Sequence, residues 1–108
     1  MKEKPERFSA EELAEWSGGT WQGGLPVRVK GVWNDSRTIR KDYLYAAVKG
    51  ERFDGHRFVH DALSRGASGA IVSEIPRDAE SGVGALLLVD DTLKALMDMA
   101  AGYRIKVD

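Results

Sequence analysis

The segment "YLYAAVKGERFDGHRFVHDALSRGASGAIVS", residues 43–73, contains the elements that predict the fold. It begins with a β-prone and mostly apolar run, residues 43–48, which is typical of a strand buried on both faces. Residues 56–66 then carry apolar side chains at helical spacing, and residues 69–73 form a second short apolar strand. A strand, a helix and a strand in this order predict two parallel strands joined by a helical crossover.

Toward the N-terminus, the sequence predicts one helix and one further strand. Ser9 and Glu12 have the spacing of a capping box at the start of the helix, and Gly18-Gly19 would end it. The stretch "TWQGGLP", residues 20–26, is typical of a turn-rich connector. Apolar and polar residues then alternate through residues 27–33, which predicts a half-buried strand.

Toward the C-terminus, residues 74–84 indicate a surface loop and residues 85–89, "ALLLV", another buried strand. Asp90 or Asp91 would cap a final helix. Its predicted apolar face consists of Leu93, Leu96, Met97 and Ala100. The fold class that follows is α/β: a single small domain with a mixed or mostly parallel sheet and flanking helices.

The length and composition restrict the class of protein. The chain has 108 residues, enough for one domain, which we expect to occupy residues 9–108 after a flexible, charged lead-in at residues 1–8. With 16 basic and 17 acidic residues, it has no overall positive charge that would indicate nucleic-acid binding. Its charged N-terminus is unlike a signal peptide, and its most apolar stretch is too short to span a bilayer. We therefore expect a soluble, cytoplasmic domain without membrane insertion, and a monomer.

Two polar clusters follow predicted strands, and both have the chemistry of an anion site. Asn34-Asp35-Ser36-Arg37 offers a hydroxyl and a guanidinium that can bind phosphate oxygens through two hydrogen bonds. The segment "KGERFDGH", residues 49–56, offers the cations Lys49 and Arg52, two glycines and the N-terminus of the next helix. Because ligands collect beyond the carboxyl ends of parallel strands, these clusters predict a phosphate or diphosphate site.

Simpler interpretations of the same residues remain open at this point. Asp-Gly is a common turn pair, and Asp54 is also a typical N-cap for the helix that follows. The Asp35-Ser36-Arg37 segment is compatible with an ordinary solvated turn. His56 and His60 have a spacing that can bind a metal, but no third ligand is evident, so we expect no metal site.

The run "DSRTIRKDYLYAAVKGERFDGHRFVHDALSRGASGAIV", residues 35–72, resembles the N-terminal domain of the Mur ligases of peptidoglycan synthesis. The family pattern has Asp-Ser-Arg, a strand, Gly-x-x-x-Asp-Gly-His, and an amphipathic helix that ends at Gly-Ala. This chain departs from the pattern before the strand, where Lys41-Asp42-Tyr43 replaces the usual Pro-Gly-Asp, so that the turn is built without glycine. Tyr45 replaces the usual Phe of the strand.

The resemblance implies a domain that binds the UDP part of a UDP-N-acetylmuramoyl-peptide and has no catalytic residues of its own. The family's UDP contacts fall on eight positions here: Ser36, Arg37, Ala47, Lys49, Gly50, Asp54, Gly55 and His56. In the family a second domain binds ATP and magnesium through a Gly-Lys-Thr-type loop, and a third brings the incoming amino component. This chain contains no such loop, and we expect it to be inactive alone and to need no cofactor of its own.

Within the family, "KGERFDGH" and "EELAEWSGGTW" are most similar to the ligases that add D-alanyl-D-alanine. Ligases that add the third amino acid share the Asp-Ser-Arg and Gly-x-x-x-Asp-Gly-His motifs and are a close second possibility. A domain that has lost the ligase and serves as a free-standing binding or interaction module is a third.

Overall fold

The computed structural model describes residues 8–76 and 84–107. The elements in chain order are α1 (Ala10–Ser17), β1 (Thr20–Gln22), β2 (Gly31–Trp33), β3 (Tyr43–Ala46), a 3-10 turn (Gly55–Phe58), α2 (Val59–Ser64), β4 (Gly69–Val72), β5 (Ala85–Leu88) and α3 (Thr92–Val107). Within this part of the chain, no helix is both long enough and apolar enough to cross a membrane.

The five strands form one sheet in the order β1-β5-β4-β3-β2. β2, β3, β4 and β5 are parallel, and β1 alone is antiparallel, at the edge beside β5. The predicted crossover between residues 43 and 73 is confirmed, because β3 and β4 pair in parallel with Leu44 opposite Gly69. The expected α/β class with a mostly parallel sheet is therefore correct.

The sheet is buried on both faces, as its continuous apolar strands predict. Leu44 and Ala46 of β3 pack into one core together with Leu13 of α1 and Met99 of α3. The alternate residue Tyr45 points to the opposite face, where it packs against α2. The domain therefore has three layers, with α1 and α3 on one side of the sheet and α2 on the other.

α1 begins and ends as the sequence predicts. The Ser9 side chain accepts a hydrogen bond from the Glu12 N–H at 3.0 Å, and the Glu12 carboxylate accepts one from the Ser9 N–H at 3.2 Å. Gly18 ends the helix with a φ of 72°, a left-handed conformation that favours glycine. Of the predicted lead-in, residues 1–7 lie outside the described residues, and Phe8 already belongs to the packed domain because it pairs with Val29.

The N-terminal strands differ from the prediction. Residues 20–22, expected to be part of a connector, form the antiparallel strand β1, and the Trp21 indole donates to the Ala10 carbonyl at 2.9 Å. The predicted strand 27–33 is shortened to β2, and Val27 is 89% exposed. Both differences arise at sheet edges, where pairing with a neighbour decides whether a short segment is extended. Of the predicted loop 74–84, residues 77–83 lie outside the described residues.

The last helix buries a face that agrees only in part with the predicted one, since Leu96 packs against the core as expected. Asp91 caps it, accepting from the Lys94 N–H at 3.0 Å, but Leu93 and Met97 are exposed. Its buried face carries Ala95 and Met99. Further along this helix, Gly102 lies so close to Trp16 that a Cβ atom there would overlap the indole ring. Small residues let α3 approach α1, and this contact sets the orientation of the helix.

The turn before β3 shows how the chain replaces the glycine that the Mur pattern has there. Asp42 has a φ of 70°, the left-handed region, which aspartate tolerates better than most residues. Its N–H donates to the Gly66 carbonyl at 3.0 Å, and its carbonyl accepts from the Lys30 N–H at 2.8 Å. These two backbone bonds hold the strained residue in place.

Candidate functional site

The first polar cluster lines a cleft of about 410 Å³ at the carboxyl-terminal edge of the parallel strands, beside β2 and β3. We call it the first cleft. Its walls are formed by Asn34, Asp35, Ser36, Arg37, Tyr45, Phe53 and Phe58. Of the eight residues implied to contact UDP, the structure brings Ser36 and Arg37 together here. The location agrees with the expectation that ligands bind beyond the carboxyl ends of such strands.

Arg37 is held at the mouth of the first cleft by Asp35. Its guanidinium donates to both carboxylate oxygens, at 3.2 Å from Nε and 3.1 Å from Nη2, and its N–H donates to Oδ1 at 2.9 Å. The hydrogen bonds from Arg37 lower the pKa of Asp35, and those to Asp35 raise the pKa of Arg37. The Arg37 side chain is 81% exposed, so this pair leaves the cation available to an incoming anion.

Two hydroxyl groups belong to the floor of the first cleft. Ser36 is only 6% exposed, and its hydroxyl hydrogen-bonds to the Asp61 carboxylate, which helps to lower the pKa of Asp61. The Tyr45 hydroxyl donates to the Gly55 carbonyl at 2.8 Å, and burial raises the pKa of Tyr45 to about 12. Tyr45 is therefore a neutral hydrogen-bond donor at any ordinary pH. Its hydroxyl, which the usual Phe lacks, ties the floor of the cleft to the second polar cluster.

An aromatic pair completes the wall of the first cleft, and sequence reasoning missed it. The rings of Phe53 and Phe58 are stacked, with centroids 5.7 Å apart and planes 12° from parallel. Phe53 is 53% exposed, and the Arg57 guanidinium lies 6.0 Å from the Phe58 ring centre. The sequence does contain a signal for this pair. Phe53 and Phe58 lie on either side of Asp54-Gly55-His56, and a Phe inside a turn, such as Phe53, cannot reach the core and must find another partner.

The second polar cluster forms a short hairpin, residues 48–55, between β3 and the 3-10 turn. Lys49 and Asp54 pair across it as an antiparallel bridge, the Gly50 N–H donates to the Phe53 carbonyl at 2.6 Å, and the Gly55 N–H donates to the Val48 carbonyl at 2.8 Å. These N–H groups, expected to approach a ligand, are thus used within the hairpin. The hairpin holds Phe53 over the first cleft.

Gly55 has a steric reason to be glycine. A Cβ atom there would lie 2.9 Å from the Val48 nitrogen and 3.0 Å from the Tyr45 hydroxyl oxygen, closer than real Cβ contacts. Gly50, in contrast, has ordinary space around it. Ala47 is completely buried, and its N–H donates to the Ile71 carbonyl at 2.9 Å. None of these three residues lines the first cleft.

Asp54, His56 and Ser73 are arranged like an Asp-His-Ser triad, but their hydrogen bonds indicate a structural role. His56 Nδ1 lies 2.7 Å from Asp54 Oδ1, and Nε2 lies 3.3 Å from Ser73 Oγ. Nε2 also accepts the Ser73 backbone N–H at 2.9 Å, so its lone pair is already used and cannot take a proton from the hydroxyl. His56 is 5% exposed and joins the hairpin to the end of β4. Hydrogen bonds from the His56 N–H and ring lower the pKa of Asp54.

Lys49 lines a different cavity, which we call the second cleft. It has a volume of about 270 Å³ and lies where β4 and β5 end and α3 begins. Its walls are Lys49, Ser73, Asp90, Asp91, Thr92 and Leu93. The hairpin therefore contributes to two clefts, with Phe53 in the wall of one and Lys49 in the wall of the other.

A metal site is not evident in residues 8–76 and 84–107. No group of three or more His, Cys, Asp or Glu side chains there is arranged to hold a metal ion. His60 is exposed, and both ring nitrogens of His56 are engaged by Asp54 and Ser73. The pair at i and i+4 therefore does not point to one shared ligand.

Comparison with known proteins shows that this chain is similar to one family of ligases. Residues 28–104 match the family model described as "Mur ligase family, catalytic domain". The UDP-N-acetylmuramoyl-L-alanyl-D-glutamate–2,6-diaminopimelate ligase of Aquifex aeolicus is 46% identical over 69 residues, 64% of this chain and 14% of that protein. The UDP-N-acetylmuramoyl-tripeptide–D-alanyl-D-alanine ligase of Synechocystis is 38% identical over 78 residues, 72% of this chain and 17% of that protein.

The fold is similar to that of a solved Mur ligase. A crystal structure of MurF from Acinetobacter baumannii superposes with a TM-score of 0.82 and 35% identity, covering 92% of this chain and 21% of that one. The chain thus spans about a fifth or less of the length of these relatives. Since the family model matches residues 28–104, well over half of the sequence, the chain belongs to the Mur ligase family.

Proposed function

We propose that this chain is the domain of a Mur ligase that binds the UDP end of a UDP-N-acetylmuramoyl-peptide, and that the first cleft receives the nucleotide. The observation that carries the proposal is the composition of that cleft. A stacked aromatic pair, a buried hydroxyl and an exposed guanidinium converge at the carboxyl-terminal edge of the sheet. A planar base, a ribose and a diphosphate need this combination of groups.

The parts of the nucleotide fit different walls. The exposed face of Phe53 suits stacking of the uracil ring. The Ser36 hydroxyl donates to Asp61, so its oxygen is left to accept a hydrogen bond from the base or the ribose. Arg37, already oriented by Asp35, suits the diphosphate, which would exchange one carboxylate partner for a phosphate. The net gain from this exchange is smaller than for a free guanidinium, because binding loses hydrogen bonds to Asp35.

The remaining residues implied to contact UDP would act mainly by supporting the cleft. Lys49, near the base of the hairpin, supplies a mobile cation for the diphosphate. Gly50, Asp54, Gly55 and His56 maintain the hairpin that carries Phe53, and Ala47 anchors its start in the core. In this proposal only Ser36, Arg37 and Lys49 contact the ligand through polar side chains.

We infer that the complete enzyme adds D-alanyl-D-alanine to a UDP-muramoyl-tripeptide, because the "KGERFDGH" segment is most similar to those ligases. The alternative is the ligase that adds the third amino acid, and relatives of both kinds match this chain. In either case the reaction would use ATP and magnesium held by another domain, in the cytoplasm. A free-standing binding module is the other alternative, and it is distinguished by the absence of nucleotide binding.

Titration calorimetry on the 108-residue chain tests the proposal. We expect UDP to bind with a dissociation constant between about 0.1 and 1 mM, since one open cleft without neighbouring domains gives modest affinity. ATP should bind no better than inorganic diphosphate, because the aromatic wall would have to accept a purine. Tight binding of ATP, or no heat from UDP at several millimolar, would contradict the proposal.

A further inference from the structure

Tyr45 lies in the floor of the first cleft, but its hydroxyl is bonded to the protein itself. The side chain projects from β3 toward α2 and is 1% exposed. Its hydroxyl donates to the Gly55 carbonyl at 2.8 Å, and burial raises the pKa of Tyr45 to about 12, so the hydroxyl keeps its hydrogen at any ordinary pH. Tyr45 therefore bonds β3 to the last residue of the hairpin, residues 48–55, under all conditions in which the protein functions.

The Tyr45 hydroxyl fixes Gly55 together with the first residue of the hairpin. The Gly55 N–H donates to the Val48 carbonyl at 2.8 Å, while the Gly55 carbonyl accepts from Tyr45. A Cβ atom on Gly55 would lie 3.0 Å from the Tyr45 hydroxyl oxygen, so the two residues are also in close contact. Two hydrogen bonds and tight packing thus fix this end of the hairpin against the end of β3.

The position of Phe53 depends on this end of the hairpin. Phe53 lies two residues before Gly55, and its carbonyl accepts from the Gly50 N–H at 2.6 Å. Its ring is 53% exposed and stacks on Phe58, with the ring centroids 5.7 Å apart. Because a half-exposed ring is held only weakly by its own packing, the backbone of the hairpin decides where the ring lies.

We propose that Tyr45 is a positioning residue for nucleotide binding: its hydroxyl fixes the hairpin so that Phe53 is in place before the base arrives. This inference rests on the proposed function, in which the uracil ring stacks on Phe53. A ring that is already ordered loses less conformational freedom when the ligand binds, so the affinity for UDP is higher. The Tyr45 hydroxyl acts through Phe53 and does not contact the ligand, because Gly55 already takes its hydrogen.

A double-mutant cycle tests whether Tyr45 acts through Phe53. Titration calorimetry with UDP on the full 108-residue chain, well below the melting temperature, compares the wild type, Tyr45→Phe, Phe53→Ala and the double variant. We expect Tyr45→Phe, which removes only the hydroxyl, to weaken UDP binding about fivefold, the effect of roughly one net hydrogen bond. Phe53→Ala should weaken it about tenfold through the loss of stacking. Tyr45→Phe should then change the affinity of Phe53→Ala by less than about twofold, because the ring that the hydroxyl positions is gone.

Tyr43→Phe is the matched control, because Tyr43 lies two residues earlier on β3 and lines neither of the two clefts. It should leave the affinity for UDP within about twofold of the wild type. A tyrosine with a purely structural role would lower the melting temperature of Tyr45→Phe by about 5 °C and leave the UDP affinity of the folded protein unchanged.

The possible results separate this inference from the proposed function. If the wild type binds UDP and Tyr45→Phe binds it equally well, the inference is overturned and the proposed function stands. Equal losses from Tyr45→Phe with and without the Phe53 ring also overturn the inference, since the hydroxyl would then act independently of Phe53. The same holds if Tyr43→Phe weakens binding as much as Tyr45→Phe. A wild-type chain that does not bind UDP overturns the proposed function, and this inference with it.

Discussion

The two polar clusters have similar compositions and similar positions at the ends of neighbouring strands, yet the structure uses them differently. In the first cluster, Ser36 and Arg37 line a cleft, and the Arg37 guanidinium pairs with a neighbouring carboxylate, Asp35, in an exposed turn. In the second, Asp54 and His56 are tied to each other and to Ser73, and His56 is buried. The first cluster keeps an exposed guanidinium at the mouth of a cleft, whereas the second uses its polar atoms to hold a hairpin.

This difference shows that a polar motif can support a site without forming its surface. The hairpin contributes Phe53 to the first cleft and Lys49 to the second. The Asp-Gly-His segment behind these residues determines where they lie. Mutations in the two clusters should therefore separate into losses of affinity and losses of stability, and the experiments below test this division.

The largest effect is expected for His56→Ala. The change removes the acceptor for the buried Ser73 N–H and the donor to Asp54, and leaves a cavity. We expect a loss of about 3 kcal/mol in the free energy of unfolding, or roughly 15 °C in the melting temperature. Chemical denaturation and thermal melting measure it.

His60→Ala is the matched control, since His60 is exposed four residues later, and it should change stability by less than about 0.5 kcal/mol. UDP affinity should be measured on the folded fraction of both variants. If His56→Ala melts like the wild type but loses UDP binding, His56 is a ligand contact, and the contrast between the two clusters is wrong.

Arg37→Ala should show the opposite behaviour. We expect UDP to bind about tenfold more weakly, the lower end of the range for a charge-assisted hydrogen bond, because ligand binding also disrupts the pair with Asp35. The melting temperature should be unchanged, since an exposed ion pair contributes little to stability. Ser36→Ala should weaken binding less, by about fivefold.

Arg40→Ala provides the control for Arg37, because Arg40 is an exposed arginine of the same loop that does not line the first cleft. It should leave UDP affinity within about twofold of the wild type, as expected for a change that removes only a screened surface charge. Equal losses of affinity in both arginine variants would mean that only the general positive charge of the loop matters, and that Arg37 has no specific role.

The smallest effect is expected for the free energy of unfolding at acidic pH. The pKa of Asp54 is lowered in the folded state by the His56 N–H and ring, and the pKa of Asp35 by Arg37. A carboxylate with a lowered pKa contributes stability above its unfolded pKa, near 3.8, and this contribution is lost as the pH falls through the folded value. Asp54→Asn and Asp35→Asn should each reduce the loss of stability below pH 4.

Salt then distinguishes the two carboxylates. The largest part of the Asp35 contribution comes from the exposed Arg37 side chain, so it should shrink at about 1 M salt to the part that the Arg37 backbone N–H supplies. The Asp54 contribution comes from a fixed N–H and a buried ring, so it should persist. Melting temperatures of the two variants between about pH 2 and pH 5, at low and at high salt, measure this difference. If both variants respond to salt in the same way, the two carboxylates do not differ in how they stabilise the fold.

Local patterns predicted the elements that form without help from distant residues. The capping box of α1, the Asp91 cap of α3 and the parallel pair β3–β4 all follow from residue spacing and from the length of the crossover. Arg37 and Ser36 could be assigned to one site because the ends of parallel strands meet at one edge. The Mur resemblance supplied the ligand that we propose, which residue spacing alone does not.

Long-range packing determined whether residues 20–22 form a strand and which face of α3 is buried. β1 is a strand because β5 offers it a free edge, and α3 exposes Leu93 and Met97 because Gly102 must approach Trp16. Neither contact is visible in a local pattern, since the partners are many residues apart in sequence.

The amino-acid sequence by itself determined the α/β class, the parallel crossover, the Mur ligase resemblance and the presence of polar residues at two strand ends. Only the tertiary structure decided which polar atoms are free to meet a ligand. A hydroxyl, a carboxylate or an imidazole is available only if the fold does not already satisfy it, and that depends on partners brought together from distant positions. His56 accepts a hydrogen bond from Ser73, which follows the neighbouring strand β4. Thr92, buried at the start of α3, has no partner for its side-chain hydroxyl among the described residues.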